Sequence, residues 1–142
     1  MSPGAPRRLA GGLLAPALLA ATVAGCGGPS ADLFAVTRSG TVPGATFAMI
    51  VRDDGTVTCD GRRRPLPAEL LITARGIQDD LEAPATAATA LPSGPRPVFT
   101  YVVLTPGGRV SFSDESPHQP AVFYRLARLT TQVAREVCRL PR

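Results

Sequence analysis

The residues of this chain with the clearest chemical meaning are its three cysteines, and their surroundings divide them. Cys26 closes the quartet Val23-Ala24-Gly25-Cys26, a small aliphatic residue and two small residues ahead of a thiol. That order suits a lipobox, in which the thiol takes a diacylglyceryl thioether and the chain is cut just before it. Cys59 and Cys138 then remain as an even pair, which in an exported, oxidising compartment predicts a disulfide between them.

Other reactive groups are sparse. His118, the single histidine, sits in Ser116-Pro117-His118-Gln119-Pro120 beside Asp114 and Glu115, where the prolines predict a turn leading into a helix with Ser or Asp near its start. Zinc requires three or four ligands at characteristic spacing, and one histidine with two bridged cysteines does not supply them. Asp53-Asp54-Gly55 has the composition of a turn, and calcium would need further oxygen ligands. No phosphate loop, dinucleotide fingerprint or serine-nucleophile elbow occurs, and a chain without lysine has no Schiff-base chemistry. These observations predict neither metal nor cofactor and a protein that is not an enzyme.

The remaining candidates are cations. Arg125, Arg128, Arg135 and Arg139, with Gln132 among them, line one side of a helical pattern, and Arg62-Arg63-Arg64 forms a second cluster. Such a stripe either is a solvated helix face or meets an anionic surface, such as lipid headgroups or an acidic partner. The formal charge of the whole chain is +4, and Arg7 and Arg8 account for two of it, so the chain after Cys26 is nearly balanced. So small an excess does not point to nucleic acid.

The segments that must position these groups follow from patterning. Arg7 and Arg8, then an uncharged run from Leu9 to Val23, have the order of an export signal. That run is shorter than the roughly 20 residues a membrane helix needs, and Gly11, Gly12 and Pro16 weaken it as a helix. The organisation expected is a lipoprotein signal at 1–25, a lipidated tether at 26–32 and one α+β domain at 33–142. Such a protein would sit on the extracytoplasmic face of the cell membrane, held by its lipid anchor.

Within the domain, Leu33 to Arg38 predicts a first strand, and a unit of hairpin, proline and helix then appears twice. Phe47 to Val51 turns through Asp53-Asp54-Gly55 into Thr56 to Asp60, which sets Val51 opposite Val57 and Met49 opposite Cys59. Phe99 to Val103 turns through Pro106-Gly107, whose composition suits a type II turn, and sets Val103 opposite Val110 and Tyr101 opposite Phe112. After Pro67, Leu70, Ala74, Ile77 and Leu81 recur at helical spacing, and after Pro120 so do Val122, Leu126, Leu129, Val133 and Val137. The architecture predicted is a duplicated ββα unit, an antiparallel sheet with two helices packed on one face. Residues 83–97, rich in Ala, Pro and Thr, are expected to be a flexible linker.

Phe34-Ala35-Val36-Thr37-Arg38-Ser39-Gly40 with Pro43-Gly44, then Phe99-Thr100-Tyr101-Val102-Val103, then Asp114-Glu115-Ser116 with Pro120, resemble successive segments of the emfourin-like proteins. The founding example of that class inhibits a thermolysin-like metalloprotease, so the resemblance implies protease inhibition as one function. The lipobox, the cysteine pair and the long linker depart from that class, and the whole chain also looks like small actinobacterial lipoproteins. From the residues alone, the function expected is a membrane-anchored, non-catalytic binding module of the cell envelope. Its partner would be an envelope or secreted protein.

Overall fold

The computed structural model describes Met1 and residues 31–140. The expected lipobox, and with it Cys26, therefore lies outside the described residues. The chain forms β1 (Asp32–Gly40), β2 (Phe47–Arg52), β3 (Thr56–Cys59), β4 (Arg62–Pro65), α1 (Ala68–Thr86), β5 (Phe99–Thr105), β6 (Gly108–Ser113) and α2 (Ala121–Gln132). A π-helical segment, Val133–Val137, continues α2. The strands make one six-stranded sheet in the order β4-β3-β2-β1-β5-β6, and every neighbouring pair is antiparallel.

Alternation along each strand decides which face is covered. Phe34, Val36 and Arg38 of β1, Phe47, Met49 and Val51 of β2, and Tyr101 and Val103 of β5 are buried, while their alternates, apart from buried Leu33, are half-buried or exposed. The helices supply the other half of the core with Leu70, Ala74, Ile77, Leu81, Val122, Phe123, Leu126, Leu129 and Val133. The opposite face carries Ile50, Val102 and Leu104, the last 54% exposed. The fold is α+β, with hairpin pairs Val51–Val57, Met49–Cys59, Val103–Val110 and Tyr101–Phe112 in the expected register.

The helices cross the covered face in opposite directions. The start of α1 lies beside the β2–β3 turn, where Leu66 N–H donates to Gly55 O at 2.9 Å and Arg75 Nε to Asp53 Oδ1 at 2.7 Å. Its end lies beside the β5–β6 turn, so close that a Cβ on Gly108 would fall 2.2 Å from Ala85 O. From the end of β6, α2 runs back to β3, where Cys138 is disulfide-bonded to Cys59. A stacked column of Tyr101, Phe112 and Phe123, with centroids 4.9 and 4.5 Å apart, ties β5 and β6 to α2.

Several expectations are corrected. The sequence pattern of a duplicated ββα unit does not become a repeated arrangement. β2 and β5 flank β1 and run the same way, yet β3 and β6 lie on their outer sides, left and right. With both buried faces turned to the helices, no rotation superposes the two hairpins. β4, unforeseen, also belongs only to the first. The linker at 83–97 is not free. Residues 83–86 are the last turn of α1, Ala85 is buried, and Thr89 and Leu91 exchange backbone hydrogen bonds with Ser111 at 3.0 and 2.9 Å. At Pro106-Gly107 the positive φ falls on Gly108, at 152°, instead of Gly107. Both helices start at a proline, Pro67 and Pro120, with no side-chain cap.

The disulfide closes a loop of 79 residues, and in the chain-entropy model such a crosslink contributes roughly 4–5 kcal/mol. Cys59→Ala is therefore expected to lower the melting temperature by many degrees, read by calorimetry. Equal melting of the variant and the wild type would show that the bridge does not restrain the unfolded chain.

Candidate functional site

The four arginines expected to form one cationic stripe have three different fates. Arg125 is ion-paired with Asp80 and so links α2 to α1. Arg128 and Arg135 flank a shallow depression of about 420 Å³ that also takes in Tyr101, Thr131 and Glu136. Glu136, which accepts from Gln132 at 3.1 Å, opposes part of their charge. Arg139 lies past the helix end in a left-handed conformation, φ 54°, which lets Leu140 N–H close on Ala134 O at 3.0 Å. The Arg62-Arg63-Arg64 cluster is likewise dispersed, because β4 alternates its side chains. Arg63 pairs with Asp54 across the open face, and half-buried Arg64 has no hydrogen-bond partner for its Nε among the described residues.

The acidic and hydroxyl groups around His118 are engaged in structure. Ser113, fully buried, receives Gly94 N–H at 3.4 Å and contacts Ser116 Oγ at 3.2 Å. Glu115 accepts from Arg96 N–H at 2.9 Å and Asp114 from Val98 N–H at 3.1 Å. Three neighbouring side chains thus hold alternate amides, two of them, at Gly94 and Arg96, in the expected linker and the third, at Val98, just past it. His118 itself is exposed with φ 55°, a turn conformation. Among the described residues no group of three or more His, Cys, Asp or Glu could hold a metal ion. No helix among them is long and apolar enough to cross a membrane.

Sequence reasoning missed a cleft of about 240 Å³. One wall is the β1–β2 loop, with Val42, Pro43 and Ala45, and the other is the π-helical continuation of α2 and the chain just past it, with Ala134 and Leu140. Phe99 and Arg38 complete it, and Thr131 and Arg135 border both this cleft and the depression beside it. Gly40 lets the loop leave the sheet, because a Cβ there would fall 2.2 Å from Val98 O, which accepts from Thr41 N–H at 3.2 Å. The π segment adds a residue to the final turn, Cys138 N–H reaching Val133 O at 2.9 Å.

Arg38 is 6% exposed. Its Nε donates to Ala45 O at 2.9 Å and its Nη2 to Gly44 O at 3.3 Å. The guanidinium lies 4.8 Å from the Phe99 ring centroid and 5.6 Å from that of Phe47, within cation–π range. The only sequence signal was a charge at an inward position of an otherwise apolar strand, Phe34-Ala35-Val36-Thr37-Arg38. Tyr101, next to Arg38 across the sheet, is 2% exposed. Burial raises its phenol above 10.0, partly offset by Arg38 and by a hydrogen bond with Thr131, while Asp114 adds to the rise.

Two outcomes follow. Tyr101 loses its proton later in the folded than in the unfolded chain, so its stabilising share is complete below pH 10.0 and falls as pH climbs above that value. Tyr101→Phe removes the titrating phenol and should flatten the alkaline decline while changing stability at neutral pH by no more than about 1 kcal/mol. Denaturant unfolding at several alkaline pH values measures both, and an unchanged decline would assign it to another group. Arg128→Glu with Arg135→Glu should each shift stability by no more than about 0.5 kcal/mol, because both side chains are exposed. Comparison with protein-family models, with curated proteins and with solved structures finds no match for this chain, so its function has to be read from its own residues.

Proposed function

We propose that this chain is an exported lipoprotein, held on the extracytoplasmic face of the cell membrane through Cys26, whose folded domain is a non-catalytic binding module of the cell envelope. The observation that carries the reading is the bond between Cys59 and Cys138. Disulfides persist in oxidising compartments, so the pair supports export. It also removes two of the three cysteines from consideration and leaves Cys26, the one that follows small residues at the end of an apolar run. The non-catalytic part rests on engagement. The serines and carboxylates near His118 hold backbone amides, and what the domain offers outward is the cleft and the depression along α2.

A second reading, inhibition of a secreted metalloprotease, is favoured by the β1–β2 loop. Residues 41–44 are exposed, while Gly40 and the hydrogen bonds from Arg38 to Gly44 and Ala45 fix both ends of the loop. A tethered, exposed loop is the kind of segment that an inhibitor inserts into a protease. It also falls in the stretch that resembles the emfourin-like proteins.

The anchor is tested by Cys26→Ser, which should move the protein from the membrane fraction to the soluble one and abolish labelling with a fatty-acid analogue. A wild type that is never labelled would defeat the lipoprotein reading. A titration of a thermolysin-like protease with the purified chain separates the two functions: stoichiometric loss of activity selects the inhibitor, and full activity selects the envelope module.

A further inference from the structure

We propose that the cleft between the β1–β2 loop and the end of α2 binds a carboxylate carried on a compact apolar group, and that Arg38 receives the carboxylate. The inference names a ligand chemistry for the binding module described above and rests on that reading, but not on lipidation.

Charge is the first argument. Arg38 is buried, and a guanidinium keeps its charge when buried, at a desolvation cost of several kcal/mol. The ion pairs among the described residues join Arg52 to Asp32, Arg63 to Asp54, Arg75 to Asp53 and Arg125 to Asp80, so Arg38 has no carboxylate there. Its partners are two carbonyls and two aromatic faces, all formally neutral.

Donor geometry is the second. The guanidinium offers two forked edges. Nε and Nη2 reach the two loop carbonyls, and Nη1, on the remaining edge, makes no hydrogen bond among the described residues. That edge has the spacing for a two-point contact with a carboxylate. Arg135, exposed on the border of the same cleft, adds attraction for an anion.

Size and lining are the third. A cavity of about 150 Å³ lined by apolar side chains holds benzene. At about 240 Å³, bounded by Val42, Pro43, Phe99, Ala134 and Leu140, this cleft has room for a leucine or phenylalanine side chain or a short acyl chain. One guanidinium charge balances a monoanion, whereas a phosphate dianion would carry a second charge into the apolar cleft. The carboxylate could belong to the C-terminal residue of a peptide or to a short fatty acid.

NMR titration of the full chain tests the proposal with N-acetyl-phenylalanine, its amide, hexanoate, hexanol and acetate. At least one apolar acid should bind about tenfold more tightly than its neutral counterpart and than acetate, and should shift the Arg38 Nε–H resonance. Preference for N-acetyl-phenylalanine assigns the peptide C-terminus, and preference for hexanoate assigns the acyl chain. Arg38→Gln should erase the preference for acid, but it also removes loop contacts. Val42→Glu is the cleaner variant, because Val42 is 43% exposed and the new carboxylate would compete at the cleft. It should lose about tenfold in affinity while melting like the wild type. Acid and neutral forms bound equally, no binding at all, no response at Arg38, or full affinity in Val42→Glu would each overturn the assignment.

Discussion

The register of β1 is the constraint on which the rest of the structure depends. β1 lies between two hairpins, pairing with β2 on one edge and β5 on the other, so Val36 faces Met49 and Val103 at once. Side chains alternate with a period of two, and a slip of one residue would turn Phe34, Val36 and Arg38 out and Ala35 and Thr37 in. Either neighbour would then have to break its ladder or expose its own apolar set. The bulge at Leu33 absorbs an extra residue where the strand enters the sheet, and it buries that leucine without disturbing the pairs from Phe34 onward.

The helices then lock the two sides of β1 together. Neither packs only on the hairpin that precedes it, since α1 leaves β4 and ends against the β5–β6 turn, while α2 leaves β6 and ends at β3. Each connection therefore spans the sheet, and the Cys59–Cys138 bond closes the second span covalently. A light core can be stable under such an arrangement, because long-range links limit how far the unfolded chain can open. The aromatic column from Tyr101 to Phe123 concentrates much of the bulky apolar surface where β5, β6 and α2 meet.

The same geometry makes the cleft. Arg38 is buried because it occupies the helix-facing register of β1, near the end of the strand where the loop turns away. The loop carbonyls, Phe47 and Phe99 converge on its guanidinium from the two neighbouring strands. A cation there both fixes the loop and faces the gap between that loop and the end of α2. One residue thus serves folding and, on the reading proposed here, recognition.

What the sequence determined by itself was local. Alternation and turn length placed both hairpins and their cross-strand pairs, and helical spacing marked both apolar stripes, because these depend on neighbours a few residues apart. Even the disulfide was legible, since reading Cys26 as a lipidation site leaves two cysteines with few options. The tertiary structure alone decided the rest. Strand order depends on which edges of β1 the hairpins meet, and no local pattern encodes that choice. Residues 83–97 looked free by composition, yet Ser113 and Glu115 hold their backbone amides at Gly94 and Arg96 across the fold. The four arginines looked equivalent on a helical wheel, but Asp80, a residue of the other helix, takes Arg125, and the helix end removes Arg139. Arg38 read as one charge in a strand. Only the packed sheet shows it buried, because burial depends on what other segments bring to its side.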